Sequence, residues 1–78
     1  SPHNFVLANP SRRGMSKKVP NIIEQTGAEF VVLISCDAAA AARDARRMVD
    51  RGFQLGEVVV LDLFPQTSHI EVISTFVR

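Results

Sequence analysis

The sequence predicts an open α/β sheet of order β-α-β-α-β-β, mostly parallel, with an antiparallel last strand. Three observations carry this expectation. Short apolar runs, Phe5-Val6-Leu7-Ala8 and Phe30-Val31-Val32-Leu33-Ile34, alternate with stretches whose apolar residues recur at helical spacing. The intervals between the first three apolar runs are long enough for crossover helices, which makes those strands parallel, with right-handed connections. The last two runs, Glu57 to Phe64 and Ile70 to Val77, are joined only by Pro65-Gln66-Thr67-Ser68-His69. With so short a connection, the final strand runs antiparallel to its predecessor or is inserted beside it.

Each element has a local reason. Asn4 to Ala8 reads as a short buried strand that stops at Asn9-Pro10, because the residue before a proline is pushed out of the helical region. Ser11-Arg12-Arg13-Gly14 is a loop. Val19, Ile22 and Ile23 then share one helical face, with Pro20 tolerated in the first turn and Gly27 as the C-cap. Phe30 to Ser35 is the second strand. Asp37 is a good N-cap for a helix from about Ala38 to Arg51, and Gly52 stops it. Ala41, Ala45, Met48 and Val49 form that helix's apolar stripe, while Arg43, Arg46, Arg47 and Asp50 point elsewhere. If the strands advance in one direction, both helices lie on one face of the sheet. The opposite face is then uncovered, although Val- and Leu-rich parallel strands expect cover on both sides. Upstream chain, or a partner such as a second copy dimerising through that face, is expected to supply it.

Composition bounds the function. The 78 residues make one small domain or part of a larger one, and 46% apolar content is ample for a core. A net charge of +1 excludes a strong overall pull on nucleic acid or anionic membrane, so any such attraction is local. The single cysteine forms no internal disulfide, in keeping with a cytoplasmic protein. No apolar stretch approaches membrane-spanning length and no secretory signal pattern is present. The chain begins Ser-Pro-His-Asn without an initiator methionine and reads as a single fragment, residues 1–78, of a longer protein.

Three loops follow the carboxyl ends of successive strands and gather at one edge of the sheet, where ligands of open α/β folds bind. They are Asn9-Pro10-Ser11-Arg12, Ser35-Cys36-Asp37, and the turn from Phe64 to His69 that delivers Glu71. Cys36 precedes a helix N-terminus, whose dipole favours a thiolate, and is a candidate nucleophile; otherwise it is a small buried apolar residue. Glu71 is a candidate base, or a strand-edge carboxylate in water. His69 is a polar turn residue. Arg12, Arg13, Lys17 and Lys18 form a small basic cluster that is solvated surface or a phosphate contact. The interval from Cys36 to Arg43 is one residue too long for a cysteine-phosphatase loop and lacks its glycine. Neither a second cysteine nor a zinc-ligand spacing is present, and there is no Gly-x-Gly-x-x-Gly.

Asn9-Pro10-Ser11-Arg12-Arg13-Gly14, then Ser35-Cys36-Asp37 leading to Ala42-Arg43-Asp44, then Asp62-Leu63-Phe64-Pro65-Gln66-Thr67-Ser68-His69-Ile70-Glu71 follow one another with kept spacing. They resemble three motifs at the C-terminal end of the RNA (uracil-5-)-methyltransferases, roughly [DN]-P-P-R-x-G, S-C-N-P-x-[TS]-x-A-[RK]-D and D-[ML]-F-P-x-T-x-H-x-E. The resemblance runs from about Phe5 to the last residue. It implies the C-terminal half of a Rossmann-like methyltransferase fold, with the donor-binding half upstream. It further implies that the whole enzyme methylates C5 of uridine in tRNA or rRNA with S-adenosylmethionine, and that this piece alone is inactive. Cys36 would then be the nucleophile that adds to C6 of the uracil, and Glu71 the general base that takes the C5 proton. Asn9 would lie beside the methyl donor, and Arg12 and His69 would contact the substrate. The target base would have to be flipped out of its stack. Ser11, Asp37 and Ala38 depart from the pattern, standing where the family has proline, asparagine and proline. Ser11 and Asp37 favour the alternative of a non-catalytic relative that keeps the fold and binds RNA or another subunit. A structural cysteine in an unrelated α/β domain would require three coincidental motifs.

Overall fold

A computed structural model describes residues 5–11, 13–62 and 70–78. Its elements run β1 (Phe5–Ala8), α1 (Lys18–Gln25), β2 (Phe30–Ser35), α2 (Ala38–Asp50), β3 (Gln54–Asp62) and β4 (Ile70–Val77). The strands form one sheet in the order β1-β2-β4-β3. β1 and β2 are parallel, while β4 is antiparallel to both β2 and β3. Strands β1, β2 and β3 therefore share a direction, and the last strand is both antiparallel to its predecessor and inserted between β2 and β3. The expected fold class holds.

The alternation of burial along β2 and β4 shows which face the helices cover. Val31, Leu33 and Ser35 of β2 are buried, as are Val72, Ser74 and Phe76 of β4. Val31, Leu33 and Phe76 join Met15, Ile23, Ala28, Met48 and Phe53 in one core between the sheet and the two helices. Side chains of the opposite parity, among them Phe5, Leu7, Phe30, Val59, Leu61 and Val77, are exposed. Over β1, β2 and β4 one face is thus covered and the other bare, as two same-side crossovers require, while β3 is exposed on both faces, its helix-side Leu55, Val58 and Val60 included.

Several sequence expectations need correction. β3 begins at Gln54, three positions before the expected Glu57, because Gly56 does not break the strand. Instead the ladder shifts register between Leu55 and Val58, so that a bulge absorbs Gly56 and Glu57 opposite Thr75. The expected last two residues of this strand, Leu63 and Phe64, and Asn4 at the start of β1 lie outside the described residues. Ile22 is exposed rather than part of the α1 core face, since Val19 and Ile23, four apart, already define that face. Val49 is likewise exposed on α2. Asp44 takes the core position instead, fully buried between Ala40, Ala41 and Met48 on one helical stripe. Asp37 caps α2 as expected, its Oδ1 accepting the Ala40 N–H at 2.9 Å.

Candidate active site

The candidate residues are sorted by strand ends. The β2–β4 ladder pairs Phe30 with Val77 and ends with Ser35 opposite Val72. One further step sets Cys36 opposite Glu71, where facing residues of a continuing ladder would have Cβ atoms about 5 Å apart. On the other side of β2, the parallel ladder ends with Ala8 beside Leu33, so Asn9 follows at the same edge. Asn9, which one further step of the parallel ladder sets beside Ile34, lies two residues short of the level of Cys36, so the first strand contributes its residue at the same edge but lower down. Asp62 ends β3 on the far side of Glu71's strand. The edge thus gathers an amide, a thiol and two carboxylates contributed by all four strands. Arg12 and His69, and the middle of the third motif, lie outside the described residues.

Cys36 is free and half-buried, and Glu71 is half-buried. Asn9 is exposed. Cys36 follows the last β2 residue and precedes the cap of α2, so strand pairing fixes its backbone on one side and the helix start fixes it on the other. A group so held is oriented before any ligand arrives. Glu71 belongs to the outer parity of β4, with Ile73, Thr75 and Val77, and pairs with Leu61 on β3. The site edge accordingly opens toward the bare face of the sheet.

The sequence departures are conservative in this setting. An asparagine at position 37 would offer the same side-chain oxygen to the Ala40 N–H that Asp37 offers. Ala38 is the first helical residue, where a proline fits only because its missing N–H has no partner there anyway. Ser11 contributes its backbone carbonyl to the Gly14 N–H at 2.8 Å, a contact that a proline at position 11 would also make.

Sequence reasoning missed the network behind the first loop. The Asp44 Oδ2 accepts the Met15 N–H at 2.9 Å, the Arg47 Nη1 donates to the Met15 carbonyl at 2.7 Å, and Arg43 donates to the Arg13 carbonyl. Two signals were available, a carboxylate on the apolar stripe 40-41-44-48 and the match of Ala42-Arg43-Asp44 to the end of the second motif. Among the described residues, one groove on the helix face is lined by Lys17, Pro20, Arg47, Asp50 and Arg51, and another, an apolar one of about 290 Å³, lies between α2 and β3. Neither lining includes Asn9, Cys36 or Glu71. Among the described residues, no group of three or more His, Cys, Asp or Glu is arranged to hold a metal.

A sheet whose first three strands share a direction, with an antiparallel last strand inserted next to the edge, is a segment of an open α/β fold, whose ligands bind at the carboxyl ends of the parallel strands. Comparison with known proteins narrows the class. The chain is 43% identical over 74 residues to the 23S rRNA (uracil(1939)-C(5))-methyltransferase RlmD of Vibrio parahaemolyticus, an alignment covering 91% of this chain and 16% of that protein. It is 36% identical over 75 residues to an uncharacterized RNA methyltransferase of Bifidobacterium longum, covering 96% of this chain and 17% of the relative. Among solved structures, the Pyrococcus abyssi tRNA (uracil-54, C5)-methyltransferase in complex with S-adenosyl-L-homocysteine superposes with a TM-score of 0.80 at 27% identity, over 95% of this chain and 18% of that one. No family model matches. By sequence and fold, this chain is a segment homologous to the RNA (uracil-5-)-methyltransferases, and it spans 16–17% of the length of the curated relatives it matches.

Proposed function

We propose that the chain is the C-terminal portion of the catalytic domain of an S-adenosylmethionine-dependent RNA methyltransferase, acting in the cytoplasm on C5 of a uridine in rRNA or tRNA. The observation that supports this reading is the β2–β4 register: its last pair, Ser35 with Val72, immediately precedes Cys36 on one strand and follows Glu71 on the other, at the sheet edge where β1 also ends. The kinship with 23S rRNA and tRNA uracil-C5 methyltransferases supports the choice of substrate.

Uracil is planar and its C5 is too weak a nucleophile to take a methyl group at a useful rate. Addition of the Cys36 sulfur to C6 places the electrons of the 5,6 double bond on C5 and the adjacent carbonyl, which makes C5 nucleophilic. Once C5 carries both its hydrogen and a methyl group, Glu71 removes that proton. The electrons restore the 5,6 double bond and break the bond from Cys36 sulfur to C6, regenerating the thiolate. When bound, S-adenosylmethionine supplies the electrophilic methyl group. The exposed amide of Asn9 fits one polar contact with it, and the remainder of the donor site belongs to upstream chain. In this reading Arg12 and His69 hold the RNA, the segment alone is inactive, and its bare face permits dimerisation in isolation.

RNA carrying 5-fluorouridine tests the reading. Fluorine at C5 cannot leave as a proton, so the adduct is trapped after methylation. Mass spectrometry of the full-length protein with donor and fluorinated RNA is expected to find the nucleotide on the peptide containing Cys36, and Cys36→Ala is expected to abolish it. An RNA-binding protein of intact fold that forms no adduct would instead be a non-catalytic relative.

A further inference from the structure

We propose that Asp44, assisted by Arg43 and Arg47, is a positioning residue that holds the first loop in place and so sets Asn9 against Cys36. The inference rests on the catalytic reading above for its functional meaning, but its geometry is independent of it.

Asn9 has little to hold it. Its strand has four residues and pairs only with β2, and the chain beyond it enters no further regular element until Lys18. Cys36, by contrast, is fixed between β2 and the capped start of α2. The same helix carries the restraint on the loop. One face of α2 presents Arg43, Asp44 and Arg47, and these meet the backbone of the two loop residues that flank Gly14: Arg43 binds the Arg13 carbonyl, Asp44 the Met15 N–H, and Arg47 the Met15 carbonyl. Between them Gly14 turns at φ +87, and a Cβ there would lie 2.7 Å from the Asp44 Oδ2. The turn can form only with glycine, and only glycine lets the carboxylate approach. α2 is therefore a rod with Cys36 at one end and a grip on the Asn9 loop two turns along it.

Stability alone is a poor explanation for this carboxylate. Position 44 sits on an apolar stripe, and burying a charge there is expensive unless it is fully satisfied. Among the described residues it is not, because Oδ1 has no hydrogen-bond partner there and the cation paired with it, the Arg47 Nη1, is 3.7 Å away. An apolar side chain of similar volume would fill the same space without that cost, so retention of the carboxylate points to what it grips.

The test compares the full-length protein with Asp44→Leu, Asp44→Asn and Arg43→Ala, reading hydrogen exchange of the segment from Asn9 to Met15 together with single-turnover methylation at saturating donor. Asp44→Leu and Arg43→Ala are expected to lose protection at Met15 and to slow methylation by about tenfold or more, since a small misplacement at a distance from the chemistry is enough for that. Asp44→Asn retains an acceptor for the Met15 N–H and is expected to stay within about threefold of the parent on both readouts. Alkylation of Cys36 is expected to be unchanged in all three. Arg43 is on the surface, so its replacement leaves folding intact even if Asp44→Leu does not. Unchanged loop exchange in Arg43→Ala and Asp44→Leu overturns the proposal, as does a loosened loop with methylation still within about twofold of the parent. A parent that neither methylates RNA nor forms the adduct would overturn the catalytic reading instead, and the exchange comparison would still decide whether the grip exists.

Discussion

At the scale of single residues, what was legible depended on how far away each side chain's partner lies in sequence. Asp37 was readable because an N-cap acts on its own helix, three residues on. That role makes a prediction. Asp37→Asn should leave the urea midpoint nearly unchanged, whereas Asp37→Ala should lower stability by about 1 kcal/mol. Equal losses in both variants would mean that the charge of Asp37, rather than the cap, is what matters, and that the departure from asparagine is not conservative. Asp44 was not readable, because the Met15 N–H that it binds is 29 residues away. A carboxylate in a helix is assigned to water by default; its spacing from Ala40, Ala41 and Met48 and its place in the A-[RK]-D end of the second motif argued otherwise, but neither named its partner. Cys36 and Glu71 fall between these cases. The motifs singled out both residues, but that they come next after the last pair of one ladder, Ser35 with Val72, follows from a register that no local pattern fixes.

At the scale of elements, β2 and α2 matched expectation closely because each has strong local signals at both ends. β3 did not, since glycine inside an apolar run reads as a break when its neighbours across the sheet are unknown. Gly56 is in fact required by the strand it faces. A Cβ at this position would lie 2.7 Å from the Thr75 Oγ1, and that hydroxyl accepts the Glu57 N–H at 2.8 Å. Gly56→Ala is therefore predicted to cost about 1–3 kcal/mol through overpacking. Most of that penalty should disappear in the background of Thr75→Ala, which removes the oxygen. A double-mutant cycle of urea midpoints measures the coupling, and additive losses would show that the bulge does not depend on this contact. The insertion of β4 was legible from the shortness of the last connection, although choosing the middle of the sheet over its edge required the pairing itself.

At the scale of the whole molecule, the sequence already contained the two-sidedness of the sheet: Val31 and Leu33 alternate with Phe30, Val32 and Ile34, so both faces of β2 are apolar. The structure buries one set and leaves the other facing outward, with Phe5 and Phe30 stacked at 5.6 Å between ring centroids and Leu7 60% exposed. Apolar surface that extends over all four strands is rare on a monomer and drives association. The 78-residue chain alone is thus expected to self-associate and to bind an apolar dye, as light scattering and fluorescence titration would show. Leu7→Glu combined with Val59→Glu places charges on two outer strands without touching the core, because both side chains are exposed. This variant should keep the circular dichroism of the parent and run as a monomer with little dye binding. If the rest of the polypeptide covers the face, as the methyltransferase reading requires, the extended protein is also monomeric, and there the same two charges become destabilising. Tolerance of both charges in the extended protein, with no loss of stability, would show that the face stays open in the enzyme and that the upstream chain packs elsewhere.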